Sequence, residues 1–150
     1  MRVITADGQL GAALTGLPAV HAEGQGGLLD VVLAPDHASS GEIFFCYAEP
    51  RGNRNGTAAA RARLVLKGNS GTLENVQVIF RQQPGIDSNH HFGCRLVFAK
   101  DGSLFLTLGD RGSEREQAQR PENHIGKLVR IHRDGSVSDV TAVGFNARTR

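Results

Sequence analysis

A chain of 150 residues, 39% apolar and 21% charged, fits one ordinary domain with a real core and is not the composition of a disordered chain. Its 17 basic and 15 acidic residues leave a net charge of +2, spread along the sequence, which excludes a global field for nucleic acid or anionic lipid. No apolar run approaches the roughly 18 residues that span a bilayer, and Met1-Arg2-Val3-Ile4 lacks the apolar core of a secretory signal, so neither a membrane span nor a signal peptide is read here.

In chain order, Asp7-Gly8 marks an early turn. The first strand is Leu28–Leu33, stopped by Ala34-Pro35-Asp36, and Ile43–Tyr47 follows. Ala60–Leu66, "ARARLVL", alternates small or apolar with charged side chains, the period of a strand with one wet face, and Val76–Arg81 does likewise. Arg95–Ala99 and Leu104–Leu108 flank Lys100-Asp101-Gly102-Ser103, where Asp-Gly supplies a hairpin turn. "SEREQAQRPENH" is polar all round and is a loop with at most one helical turn. Lys127–His132 then precedes a further turn at Asp134-Gly135. Lys127 and Arg130 fall on opposite faces of that strand, and solvated positions account for both. Nineteen glycines punctuate the whole, as many short strands with tight turns require.

Two stretches repeat one unit. "LLDVVLAPDHASSGEIFFCYAE" and "CRLVFAKDGSLFLTLGD" both run strand, aspartate, turn, strand, acidic residue, and Asp36 and Asp101 lie 65 positions apart. A strand-rich repeat of roughly 40–60 residues suggests propeller blades, of which this length makes about two and a half, whereas a closed ring needs at least about four. The predicted fold is all-β with four-stranded antiparallel sheets, either part of a propeller or another all-β form such as a sandwich.

Cys46 and Cys94 match no metal spacing; a buried pair of free thiols is expected, with a disulfide as the alternative. Asn55-Gly56-Thr57 matches a glycosylation sequon, a pattern too frequent by chance to use. The cluster in "EGQGGLLDVVLAPD" precedes a strand rather than a helix, which argues against a phosphate loop. It is a tight turn, or its glycines let Gln25 come close to a ligand. His90 and His91 stand before the hairpin Arg95–Leu108, and pairing about its turn returns Asp110 toward His91. A carboxylate holding one ring nitrogen while the other faces substrate is base-and-orienter chemistry; the plain alternative is a loop with solvated histidines. His90, His91, His124 and His132 lack zinc-ligand spacing.

In order, "GLPAVHAEGQGGLLDVVLAPD", "FFCYAEP", "GTAAARARLVL", "VIFRQQP", "HHFGCRLVFAKDGSLFLTLGDRG" and "HIGKLVRIHRDGSV" resemble the soluble PQQ-dependent sugar dehydrogenases, the glucose/sorbosone dehydrogenase family, and most closely its aldose sugar dehydrogenase branch. The resemblance runs from about Gly16 to Val137 and implies a six-bladed β-propeller, exported to the periplasm. It further implies bound pyrroloquinoline quinone, calcium that polarises it, an aldose substrate and an external electron acceptor. By the motif, His91, four residues before Arg95, matches the base that takes the proton of the sugar's C1 hydroxyl. Asp110 matches the acid that steadies it, and Gln25 matches a glutamine contacting cofactor and substrate. His90 stands where another branch carries an acidic residue.

The resemblance also implies later quinone contacts and calcium ligands beyond residue 150, and "SDVTAVGFNARTR" departs from the family pattern. Residues 1–150 are therefore expected to be one partial propeller domain truncated at both ends. The expected activity is oxidation of aldoses to lactones, with an inactive sugar-binding or interaction remnant as the alternative.

Overall fold

The computed structural model describes residues 1–137 and 143–144. Its first strands, β1 (Arg2–Ile4) and β2 (Leu10–Ala13), form a hairpin about the anticipated Asp7-Gly8 turn. A four-stranded antiparallel sheet follows, in the order β3 (Leu28–Leu33), β4 (Glu42–Arg51), β5 (Arg54–Lys67), β6 (Ser70–Arg81). A single helical turn, α1 (His37–Ser40), joins its first two strands. The second four-stranded sheet has β7 (Gly93–Phe98), β8 (Leu104–Leu108), β9 (Lys127–Ile131) and β10 (Val143–Gly144), with a 3-10 turn at Arg115–Gln119 before β9. Each sheet is a meander in which every strand pairs with the next in sequence. The two predicted copies are therefore the first hairpin of each sheet, β3–β4 and β7–β8.

The central strands of the first sheet are longer than the sequence pattern indicates. β4 runs to Arg51 and β5 starts at Arg54, because Gly52-Asn53 closes a two-residue hairpin with Gly52 at φ +63°. Gly68-Asn69 does the same between β5 and β6, so Ser70–Asn75, polar and loop-like in sequence, is strand. Ladder hydrogen bonds hold the polar positions of these strand ends, while Leu73 joins the core cluster that holds Leu14.

β4 is buried on both faces: Ile43 to Ala48 are all 1% exposed or less. Its Phe44 and Cys46, with Ala59 and Ile79, face Leu96, Leu104, Leu106, Leu108, Val129 and Ile131 of the second sheet. Its Ile43, Phe45 and Tyr47 face the other way, toward Leu14 and the apolar side chains of the N-terminal segment. This double burial explains why the strand is a continuous apolar run without alternation. Each such side chain contributes roughly 1.5–3 kcal/mol by leaving water.

Polar and covalent ties add to that core. Asp30 on β3 accepts the Leu96 N–H of β7 at 2.9 Å and pairs with Arg95 at 3.3 Å, tying the first strands of the two sheets to each other. Arg133, past β9, reaches Asp36 at 2.8 Å and Glu42 at 2.5 Å. The expectation of free thiols is overturned, for Cys46 of β4 and Cys94 of β7 form a disulfide across the sheets, with Cα atoms 6.5 Å apart. Two cysteines 48 positions apart carry no pairing signal until the sheets stack.

Lys127 also departs from expectation. It is 4% exposed, and its ammonium donates to the carbonyls of Gln117 (3.1 Å), Ala118 (3.0 Å) and Ile125 (2.7 Å), closing the end of the 3-10 turn. Arg130 lies on the opposite face, as expected, against the Phe105 ring and Asp101. Among the described residues no helix is long and apolar enough to cross a membrane. The departure from the family pattern expected after Val137 lies outside the described residues, apart from β10.

Candidate functional site

The site forms where three loops meet at one end of the two sheets: residues 21–27 before β3, 82–92 between the sheets, and 109–113 after β8. The β7–β8 register, Gly93 opposite Leu108, carries the chain past each strand end so that His91 and Asp110 face one another. His91 Nδ1 lies 2.8 Å from Asp110 Oδ1. The Asp110 carboxyl is held below its ordinary value of 3.8, first by the Gly112 N–H donated to it at 2.9 Å and then by the His91 contact. It is therefore an anion at neutral pH.

His91 is itself in the left-handed region, φ +48°, a conformation that costs a non-glycine residue on the order of 1–3 kcal/mol and that its surroundings must impose. They do so from three sides. The His91 N–H donates to Gln25 Oε1 at 2.9 Å, and its carbonyl accepts the Arg111 N–H at 3.2 Å. Against that carbonyl lies Gly109, where a Cβ would collide with it. The Gly-Gln-Gly-Gly loop reaches this position because Gly24, at φ +57°, lies against the Asn89 backbone, and Gln25 N–H donates to the Asn89 carbonyl at 2.8 Å. The sequence-predicted trio, His91, Asp110 and Gln25, is thus brought together. The glutamine's carbonyl end is spent on His91, leaving its amide NH₂ as the end that can meet a ligand.

A cleft of about 560 Å³ opens beside this trio, lined by Ser88, His90, His91, Gly112 and Arg115 among others. Asp110 and Gln25 are not among its lining residues; they bear on His91, which is, with a half-exposed side chain. Asp87 and Arg115 are the charged side chains that border the cleft besides Arg111, whose guanidinium is buried and spent on neutral oxygens. His90 contributes its carbonyl to Arg111 at 3.0 Å and borders the cleft. His124 lies apart, its Nδ1 accepting the Gln83 N–H at 2.9 Å, and burial lowers its pKa.

Two residues that the sequence did not single out stand beneath the loop. Arg111 is fully buried, and its guanidinium meets Asn55 Oδ1 at 2.6 Å and the carbonyls of Ser88 and His90. Asn55, 3% exposed, belongs to the sequon set aside above; its side chain is committed to Arg111 and lies 3.2 Å from His21 Nε2. The only sequence signal for Arg111 is its place in Gly109-Asp110-Arg111-Gly112, beside the predicted orienting acid.

Comparison with known proteins gives this arrangement its kin. The Glucose / Sorbosone dehydrogenase family matches residues 1–147. The match extends past the limits of Gly16 and Val137 expected from the motifs and overturns the departure expected for "SDVTAVGFNARTR" as far as residue 147. Aldose sugar dehydrogenase YliI of Escherichia coli (strain K12) is 43% identical over 131 residues, 87% of this chain and 34% of that protein. The crystal structure of the soluble aldose sugar dehydrogenase from Escherichia coli in the apo-form superposes with a TM-score of 0.85 at 39% identity, over 99% of this chain and 42% of that one. The PQQ-bound form of aldose sugar dehydrogenase from Streptomyces coelicolor gives 0.72 at 28% identity, over 85% of this chain and 36% of that one. The chain spans about a third of the length of the curated relatives it matches. Its two sheets are blades of a partial β-propeller, and the chain belongs to the glucose/sorbosone dehydrogenase family.

Proposed function

We propose that this chain supplies the proton-transfer part of a PQQ-dependent aldose dehydrogenase site, which oxidises the C1 hydroxyl of an aldose to the lactone and passes electrons to an external acceptor. The observation that carries this reading is the 2.8 Å contact of His91 Nδ1 with Asp110 Oδ1. A carboxylate at Nδ1 keeps the proton on that nitrogen and leaves the Nε2 lone pair free, the state a general base needs. As the imidazole takes the hydroxyl proton it becomes a cation, and the adjacent Asp110 anion stabilises it as it forms. Removing that proton concentrates charge on the C1 oxygen and turns the C1–H bond into a hydride donor.

PQQ, when bound, supplies the two-electron sink for that hydride. The cleft's donors suit the carboxylates of such a quinone: Arg115, the Ser113 hydroxyl and the amide of Gln25 beside it. Calcium, which the resemblance attaches to this chemistry, is proposed to be held outside residues 1–150. The Cys46–Cys94 bridge supports an oxidising compartment such as the periplasm.

Dye-linked oxidation of aldoses with PQQ and calcium added tests the proposal. His91→Ala is expected to lower turnover by roughly 10²–10⁴-fold, the usual worth of a general base. Equal rates in the two proteins would sink the role given to His91. The alternative reading is a sugar-binding propeller module without chemistry. Aldose binding with no detectable PQQ binding would select it.

A further inference from the structure

We propose that Arg111 is a positioning residue for His91: its buried guanidinium fixes the backbone of residues 88–91 so that the imidazole presents Nδ1 to Asp110. The inference rests on the reading of His91 as the base.

Arg111 is 0% exposed, and every hydrogen bond of its side chain among the described residues ends on a neutral oxygen. Nε donates to the His90 carbonyl at 3.0 Å, Nη2 to Asn55 Oδ1 at 2.6 Å and to the Ser88 carbonyl, and Nη1 reaches the Asn55 carbonyl at 3.5 Å. The planar cation lies 3.8 Å over the Phe92 ring. A buried cation without a carboxylate partner is expensive, several kcal/mol by general experience. An apolar side chain would fill the same space at no such cost, so packing alone does not account for it.

Its geometry gives the cost a use. The backbone of Arg111, at φ +59°, donates its N–H to the His91 carbonyl at 3.2 Å and accepts the Ser88 hydroxyl at 2.8 Å. Main chain and side chain of one residue therefore bind Ser88, His90 and His91 together, while its neighbour Asp110 holds the ring. A rigid planar fork of five donors fixes the angles at which widely separated oxygens sit; a lysine's single ammonium, three donors on a flexible stem, does not reproduce that fork. Asn55 extends the brace, since its amide also approaches His21 Nε2 at 3.2 Å, and that nitrogen lies 2.6 Å from Asn89 Oδ1. The loop that carries His91 is thus held in a left-handed conformation from below by Arg111 and from above by Gln25.

The test reads the His91 ring by ¹⁵N NMR, without cofactor or turnover. In the unaltered chain the neutral ring should be the Nδ1–H tautomer; if it is Nε2–H, the reading of His91 as an oriented base fails, whatever Arg111 does. With that tautomer established, Arg111→Gln should make Nε2–H the majority form, as in a free imidazole, while the amide spectrum of β8 and β9 is retained. Arg111→Lys keeps the charge but not the fork and should shift the ring in the same direction. A ring that stays Nδ1–H in either folded variant overturns the proposal and leaves the base assignment intact. Should neither variant fold, the unaltered chain still decides: Arg111 Nε–H should exchange with solvent at least about tenfold more slowly than that of exposed Arg54, as a buried and bonded donor does. Exchange as fast as Arg54 overturns the proposal.

Discussion

The chemistry of this site turns on one imidazole and one carboxylate, and pH acts on them in a defined direction. Asp110 has a depressed pKa in the folded chain, so whatever its contacts add to stability is fully present above the ordinary carboxylate value of 3.8 and is lost as pH falls through the lower folded value. Its contribution should therefore hold down to about pH 4, and Asp110→Asn should remove only that share of the acid loss, which Asp36, Asp101 and Asp134, also held low, contribute to as well; thermal melts across pH 2–6 check this. Because the carboxylate is more than a third exposed, the effect on stability is small and the effect on the ring is the larger one. Gly109 offers a second residue-level outcome. Gly109→Ala places a methyl group against the His91 carbonyl, so the loop must move. The expected result is loss of the Nδ1–H tautomer together with roughly 1–3 kcal/mol of stability, read by NMR and denaturant titration. Of these residues His91, Asp110 and Gln25 were legible in the sequence, because motif order and the hairpin turn place them. Arg111 and Asn55 were not, since nothing in a linear sequence distinguishes a guanidinium under a loop from one in water.

Among the elements, β4 and β7 carry the joint between the sheets. Cys46 and Cys94 lie on them, and the bridge closes a loop of 48 positions. Reduction, or Cys94→Ser, should cost about 2–4 kcal/mol, because the unfolded chain regains the freedom of that loop; chemical denaturation with and without reductant measures it. Leu106 of β8 is fully buried against the first sheet. Leu106→Ala should cost roughly 2–5 kcal/mol, and a loss under 1 kcal/mol would mean that the sheets do not pack as described. Strands whose side chains alternate or form short apolar runs, β3 and β8, agree with the sequence to the residue. β5 and β6 outrun their apolar patterns because two-residue Gly-Asn turns keep the ladder going through polar positions, with Ala58, Ala59 and Leu73 buried among them.

For the whole molecule, the two blades share one core, while the first strand of each sheet keeps apolar side chains on the outside. Val31, Leu33 and Val97 are each about half exposed (48, 58 and 52%). Such strand faces favour self-association. Replacing Leu33 and Val97 by threonine should lower light scattering at high concentration without lowering the melting temperature by more than a few degrees. The sequence by itself determined the all-β class, the repeated hairpin, the family and the residues facing each other across the β7–β8 turn. These rest on periodicity, turn chemistry and motif order, which act between near neighbours in the chain. Only the tertiary structure decided the disulfide, the burial of Lys127 and the brace of Arg111 and Asn55. The disulfide and the brace join groups tens of residues apart, and the Lys127 ammonium meets the carbonyls of Gln117, Ala118 and Ile125 once the local turn closes over it. In a water-poor interior an ammonium among carbonyls and a guanidinium without a carboxylate are stable only because the surrounding polar groups supply their partners.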